Sequence, residues 1–167
     1  MLKKVRISIT TTQRRLEGSL FEEYKTQGAP RRIADEEPQE ISLVAEGSYY
    51  DDGHRVTVSY RESELSGMEG TKSSIGFHKH TPTCLTLKRD GAVRTALVFE
   101  EGQEHLCYYQ TPVMPMEVAV RTSRVANTLE QDGKLSLDYI IEIKGADPEE
   151  THFTLTIQEY KKITLTP

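Results

Sequence analysis

Residues 56–62 read Val56-Thr57-Val58-Ser59-Tyr60-Arg61-Glu62, and this stretch carries the pattern that decides the fold. Every second residue up to Tyr60 is apolar, which predicts an extended strand with one buried face. That face ends in a carboxylate, Glu62. After a turn bracketed by glycines, residues 68–77 predict a second strand, so the two segments are interpreted as a β-hairpin.

The same alternation recurs along most of the chain and predicts about ten strands. Asp-Gly pairs at 52–53, 90–91 and 132–133 mark turns, because this dipeptide tolerates the positive φ of a tight hairpin. No helical segment separates the strands, which excludes a parallel βαβ arrangement. The predicted strands cover residues 3–12, 41–50, 54–62, 68–77, 84–89, 93–99, 104–111, 116–125, 134–143 and 151–161.

Consecutive hairpins favour an up-and-down meander, and closing the meander removes its exposed edges. We therefore expect an all-β fold: a closed antiparallel up-and-down β-barrel of eight to ten strands, forming a single domain over residues 1–167. Residues 13–40 interrupt the pattern with charges and prolines, and they predict a polar insertion that is mostly exposed loop. The roughly helical spacing of Leu16, Leu20, Phe21 and Tyr24 allows a short helix near 17–26.

Composition narrows the class of protein. The chain has 167 residues, 36% hydrophobic and 28% charged, which suits one soluble domain with a real core. A net charge of −5 without a basic stripe argues against a nucleic-acid or membrane-surface partner. There is no apolar run of membrane-spanning length and no export signal at the start, so we expect a cytoplasmic protein, either monomer or homodimer. Cys84 and Cys107 are expected to be free thiols.

The inward faces of the strands end in ionisable residues. The inward face of Leu85 and Leu87 continues to Arg89. The inward face of the last strand, formed by Phe153, Leu155 and Ile157, continues to Glu159. We expect these ends to meet at one end of the barrel, where Glu62 and Arg89 form a two-point ion pair. The predicted ligand-binding residues are Tyr60, Glu62, Thr71, Arg89, Tyr139 and Glu159. An alternative stays open, in which these residues are only a solvated rim or a structural ion pair.

Six short motifs, in this order along the chain, resemble the YwiB-like family of uncharacterised bacterial proteins. The resemblance covers residues 3–160, with one departure: where that family tends to have a glycine soon after Tyr-x-Thr, this chain has Pro112 to Pro115. It implies a calycin-like (lipocalin-resembling) β-barrel in a bacterial cytoplasm, and it implies no activity. The motifs are Ser59-Tyr60-Arg61-Glu62, Met68-Glu69-Gly70-Thr71-Lys72-Ser73, Leu87-Lys88-Arg89-Asp90-Gly91, Tyr109-Gln110-Thr111, Met116-Glu117-Val118-Ala119-Val120-Arg121-Thr122 and Gly133-Lys134-Leu135-Ser136-Leu137-Asp138-Tyr139.

The sequence contains no convincing motif for a cofactor, a metal or catalysis. Residues 67–72 contain two glycines and a lysine but lack the Gly-Lys-Ser/Thr ending of a phosphate loop. His78 and His80 can in principle join another histidine or Cys84 around a metal, although a polar hairpin loop explains them as well. Neither cysteine has a catalytic motif around it. We therefore predict no cofactor, no metal site and no catalytic residue.

Three functions remain open. The first is a binding module, because a barrel of this size is either filled by side chains or holds one small amphipathic or anionic ligand. The second is an accessory or interaction protein that uses the acidic segment 28–40 and the tyrosine pairs at 49–50 and 108–109. The third is an enzyme, with Glu62 and Glu159 as acid and base, for which the sequence shows no catalytic constellation.

Overall fold

The structure, a computed structural model, describes residues 1–62, 70–91 and 93–160. Within these ranges the chain forms eleven strands, one 3-10 helix (Glu22–Gln27) and one short α-helix, α1 (Leu129–Asp132). No helix of the described part is long and apolar enough to cross a membrane. The strands are β1 (Leu2–Glu17), β2 (Arg31–Arg32), β3 (Gln39–Asp51), β4 (Arg55–Arg61), β5 (Lys72–His78), β6 (Cys84–Asp90), β7 (Arg94–Glu100), β8 (Glu104–Gln110), β9 (Pro115–Thr128), β10 (Lys134–Ile143) and β11 (Glu149–Glu159).

Ten of these strands close into an antiparallel up-and-down barrel, which confirms the predicted fold. From β3 to β11 each strand pairs with the next in sequence, and β1 pairs with β3 on one side and β11 on the other. The closing ladder is long, running from Val5 opposite Glu159 to Arg15 opposite Glu149. The extra strand β2 only extends β1, through the pairs Leu16–Arg32 and Glu17–Arg31.

The direction of each strand decides which end of the barrel its last residue reaches. Strands β1, β4, β6, β8 and β10 run toward one end, here called the mouth. Strands β3, β5, β7, β9 and β11 run toward the other end, the base. In an antiparallel barrel, the last residues of two strands therefore lie at the same end of the barrel only when the chain direction reverses an even number of times between those strands.

The base is packed and the mouth is not. Val56, Phe77 and Leu85 are fully buried near the base, and Leu129 of α1 joins the same core. Polar contacts hold this end together from outside: Lys79 Nζ lies 2.7 Å from an oxygen of Asp51 and 3.3 Å from an oxygen of Glu130. The turn predicted at the Asp-Gly pair 132–133 is thus the end of the short helix α1, which closes the base.

Gly47 on β3 marks a close approach inside the wall. A Cβ atom there would lie 2.2 Å from the carbonyl oxygen of Ser59 and 2.4 Å from the side chain of Ile7. Gly47 pairs with Val5 on β1 and with Tyr60 on β4. Only glycine lets these strands approach so closely, so the position is a packing requirement of the barrel.

The interpretation of residues 13–40 as a mostly exposed loop is corrected. Strand β1 continues to Glu17 and β3 begins at Gln39, so the insertion is shorter than predicted. The helix near 17–26 is a 3-10 helix over Glu22–Gln27, since the residues before it are extended and dock on the barrel. The predicted Gly67 turn, the start of the strand at Met68 and the last strand's end at Lys161 lie outside the described residues.

A strap formed by residues 18–25 covers the outer face of β9 and β10. Leu20 and Phe21 pack on Ala119 and Ile140 as a second, smaller core. Glu142 on β10 is buried beneath the strap, where it accepts hydrogen bonds of 2.6 Å from the Ser19 hydroxyl and from the Leu20 amide. Alternation alone would place Glu142 on a solvated outer face, so only the strap explains its burial.

Candidate functional site

A cavity of about 340 Å³ lies inside the mouth half of the barrel. Its walls are mostly apolar side chains from inward-facing positions of the strands, because alternate residues point into the barrel. Ligand pockets in proteins usually measure about 300–1,000 Å³, so this cavity is at the small end of that range. The apolar walls include Leu43, Ile75, Leu97, Phe99, Leu137 and Phe153.

Glu62 and Arg89 meet in this cavity, as predicted, but not as a two-point pair. The Nε of Arg89 lies 3.8 Å from Oε1 of Glu62, beyond hydrogen-bond distance. That carboxylate oxygen instead accepts a 2.7 Å hydrogen bond from the Ser73 hydroxyl. Among the described residues the buried Nε of Arg89 has no hydrogen-bond acceptor. Glu62 therefore balances the charge of the guanidinium but does not accept a hydrogen bond from its Nε.

Three tyrosines surround this charge pair. Burial raises the pKa of Tyr60 well above its usual range, and the neighbouring Glu62 carboxylate adds to the effect. Burial also raises the pKa of Tyr139 to about 12, against the lowering effect of the Arg89 charge. Burial raises the pKa of Tyr109 too, while the charge of Arg89 and its hydrogen bond to the phenol work in the opposite direction. All three phenols are thus neutral hydrogen-bonding groups at any physiological pH.

Glu159 does not join the other predicted site residues. It ends β11 at the base, where its side chain is 66% exposed and pairs with Lys3. Glu62 directly follows β4 at the mouth, and the chain direction reverses an odd number of times from β4 to β11, which separates the two carboxylates. The prediction extended each apolar face to its end without counting strand directions. The suggested acid–base pair of Glu62 and Glu159 is therefore not assembled.

Thr71 reaches the mouth end but not the cavity. Its carbonyl accepts a 2.8 Å hydrogen bond from the Glu62 amide, which places it beside Glu62 across the hairpin. Its side chain is buried against Gly91, at the turn between β6 and β7. Thr71 therefore supports the backbone around Glu62, whereas Tyr60, Glu62, Arg89 and Tyr139 line the cavity itself.

Five polar residues that line the cavity in the described part of the chain were missed from the sequence: Thr11, Gln13, Tyr109, Asp147 and Glu149. Tyr109 lies near the end of β8, a strand that runs toward the mouth like β6, so counting directions would have found it. Glu149 begins β11 and also lies at the mouth, but the strand was predicted to start two residues later. Its inward position follows from its pairing with Ile141 on β10.

An ion-pair cluster borders the mouth. Arg15 at the end of β1 donates two hydrogen bonds of 3.0 Å to the Glu36 carboxylate and one of 3.4 Å to Asp147. The hydrogen bond from Arg15 holds the pKa of Glu36 below its usual value. These contacts connect β1 to the loop before β3 and to the loop between β10 and β11. The cluster therefore orders the rim through which the cavity meets solvent.

The arrangement suits recognition better than covalent or metal chemistry. Within residues 1–62, 70–91 and 93–160, no group of three or more His, Cys, Asp or Glu side chains is placed to hold a metal ion. Both cysteines are free, and burial raises the pKa of the Cys84 thiol, which disfavours the nucleophilic thiolate. What the cavity offers is an apolar volume, several phenols and one guanidinium whose Nε has no acceptor among the described residues.

Comparisons with known proteins agree with the barrel and leave the activity open. A model of the family described as Domain of unknown function (DUF1934) matches residues 24–155. The crystal structure of the ywiB protein from Bacillus subtilis superposes with a TM-score of 0.72 at 16% sequence identity, covering 96% of this chain and 94% of that one. At this identity the likeness shows the fold alone. None of the curated proteins compared matches the chain.

Proposed function

We propose a function for this chain, which belongs to the DUF1934 family of domains of unknown function. The proposal starts from the cavity: the barrel binds one small amphipathic molecule whose anionic group faces Arg89. The observation that carries the proposal is the buried Nε of Arg89, which has no acceptor among the described residues. An unpaired buried donor costs about 1–3 kcal/mol, and a ligand carboxylate or sulfonate that draws the guanidinium toward itself would offset that cost. The apolar walls would take the rest of the ligand.

The surroundings of Arg89 support an anion better than a cation at this point. Glu62 balances the guanidinium charge but is occupied by Ser73 and sits at 3.8 Å. A ligand oxygen that bonds Arg89 would therefore not have to displace an existing two-point pair. The phenols of Tyr60, Tyr109 and Tyr139 remain protonated and line the same cavity, where they add hydrogen-bonding groups to its wall.

The experiment begins with native mass spectrometry of the purified full chain, which reveals a co-purified molecule. Isothermal titration calorimetry then measures binding of straight-chain and aromatic carboxylates. Ile141→Trp, which places a larger side chain in the cavity, should abolish binding. Arg89→Gln should weaken binding about 10- to 100-fold, the value of a charged hydrogen bond.

Arg94→Gln is the matched control for Arg89→Gln. Arg94 lies near the same turn, but its side chain is exposed and pairs with Asp90 on the outer surface. Its substitution should leave binding unchanged. The proposal is wrong if no molecule co-purifies and no carboxylate binds, or if both cavity variants bind like the parent protein while circular dichroism shows them folded.

The alternative is an accessory or interaction module without a small-molecule ligand. The tyrosine pairs suggested for it are corrected: Tyr49 and Tyr109 point inward, so each pair exposes only its other member. Leu106 and Tyr108 on the outer face of β8, 56% and 51% exposed, favour this alternative. A protein that binds no carboxylate but loses a partner on Leu106→Glu would support it over the cavity.

A further inference from the structure

Besides Glu62 and Arg89, two further carboxylates line the cavity: Asp147, which pairs with Arg15, and Glu149. Glu149 lines the same cavity from the first residue of β11, and it is half-buried. Its neighbour Glu150 points to the outer surface and pairs with Arg32 at 2.8 Å. Among the residues that the structure describes, no cation pairs with the Glu149 carboxylate. An unpaired half-buried carboxylate beside apolar walls is costly unless something positive meets it.

The cation that register places opposite Glu149 is engaged elsewhere. Arg15 on β1 pairs with Glu149 in the ladder, so the two side chains start from adjacent positions on one face. The Arg15 guanidinium nevertheless turns to Glu36 and Asp147, which take its hydrogen bonds. The negative charge of Glu149 therefore stays directed at the cavity.

Glu149 and Arg89 act on the same part of the cavity. Both charges influence the phenols of Tyr109 and Tyr139, and they do so with opposite signs. These tyrosines thus share the cavity with a positive group on β6 and a negative group on β11, and both charges lie near enough to act on them. The phenyl rings of Phe99 and Tyr139, with centroids 4.6 Å apart, form the apolar wall beside them.

Resting on the proposed function, we infer that the ligand of this cavity is a small zwitterion of the amino-acid type, with one carboxylate toward Arg89, one ammonium group toward Glu149 and an apolar body against the barrel wall. The carboxylate meets a guanidinium whose Nε has no hydrogen-bond acceptor among the described residues, and the ammonium group meets a carboxylate with no cation partner among them. A simple fatty acid would bring its carboxylate into a cavity that already holds Glu62 and Glu149. A phosphate would add a second negative charge, which the single guanidinium cannot balance.

The test compares ligands that share one apolar body. Phenylalanine, phenylpropanoate and phenethylamine present both charges, the carboxylate alone or the ammonium alone, and a leucine-based aliphatic series repeats the comparison. Amino acids with the ammonium at the far end of the chain cover a wider charge separation. By calorimetry with the full-length protein, the best zwitterion should bind at least about 10-fold more tightly than the matching carboxylate or amine. This ratio corresponds to the contribution of one charged hydrogen bond to binding.

Glu149→Gln should remove this preference: the zwitterion falls to the affinity of the carboxylate, and the carboxylate binds as well as before or better. Glu150→Gln is the matched control and should preserve the preference. The inference fails if the carboxylate binds the parent protein as tightly as every zwitterion, or if Glu149→Gln leaves the preference intact. Failure of the proposed function itself looks different, because then no ligand of any series binds.

Discussion

The Arg89 Nε lies 3.8 Å from the nearest Glu62 oxygen, and that oxygen is bonded at 2.7 Å to Ser73 instead. The Glu62 side chain is only 3% exposed and that of Arg89 20%, so the two charges compensate each other in a partly dry space. An ion pair held by proximity, without a shared hydrogen bond, leaves directional donors free. This geometry separates a cavity that can accept a ligand from a core that is complete without one.

The coupling between Glu62 and Arg89 should be measurable in stability. Glu62→Gln removes the compensating charge and should lower the free energy of unfolding by about 1–3 kcal/mol, because buried groups lose their partner. Adding Arg89→Met should recover part of that loss, with a coupling energy of about 0.5–3 kcal/mol in a double-mutant cycle from urea unfolding. Strictly additive effects would contradict the pairing.

Removing the Glu142 carboxylate should release the strap over residues 18–25. Glu142→Ala deletes the acceptor of two 2.6 Å hydrogen bonds, and hydrogen bonds to a charged group contribute about 1.5–3 kcal/mol each. We expect lower stability in urea and faster proteolysis within the strap. The control Glu40→Gln changes an exposed carboxylate and should stay within about 0.5 kcal/mol. Unchanged proteolysis of Glu142→Ala would show that the apolar contacts of Phe21 suffice.

The buried phenols should lose their protons at a higher pH than exposed phenols do. The unfolded chain loses the Tyr139 proton near pH 10, whereas the folded protein holds it to about 12, since burial disfavours the phenolate. The stability contributed by this neutral phenol is therefore complete below pH 10 and is lost as pH rises toward 12. Ultraviolet titration of tyrosinate should show a late step that Tyr139→Phe diminishes. Tyr108→Phe deletes an exposed phenol and should retain the late step; a late step equal in both variants would refute the assignment.

Gly47 should tolerate no side chain. In Gly47→Ala the new methyl group would lie 2.2 Å from the Ser59 carbonyl oxygen, so β3 and β4 must separate locally. Overpacking of this kind costs about 1–3 kcal/mol, which thermal or urea unfolding can measure. Ser48→Ala, one residue further and on the opposite face, is the control and should be nearly neutral. A neutral Gly47→Ala would mean that the wall is less tightly closed there.

Much of the cavity lining could be predicted from the sequence, because the alternation of side chains along each strand was enough to identify these residues. Glu62 and Arg89 each follow an inward apolar face, and two reversals separate their strands, so both reach the mouth. Tyr60 and Tyr139 lie on inward faces and line the cavity for the same reason. Glu159 was misplaced because the rule of alternation says which face a residue takes, and not which end of the barrel it reaches.

The sequence by itself determined the ten strands, their alternation and their antiparallel order, because side-chain periodicity and turn residues act over a few neighbouring positions. It also determined that charged residues close several inward faces. Only the tertiary structure decided that the base is filled while the mouth stays hollow, that Ser73 takes the bond Arg89 was expected to share, and that Arg15 leaves Glu149 facing the cavity. These outcomes depend on closing β1 against β11, which brings together residues far apart in the chain.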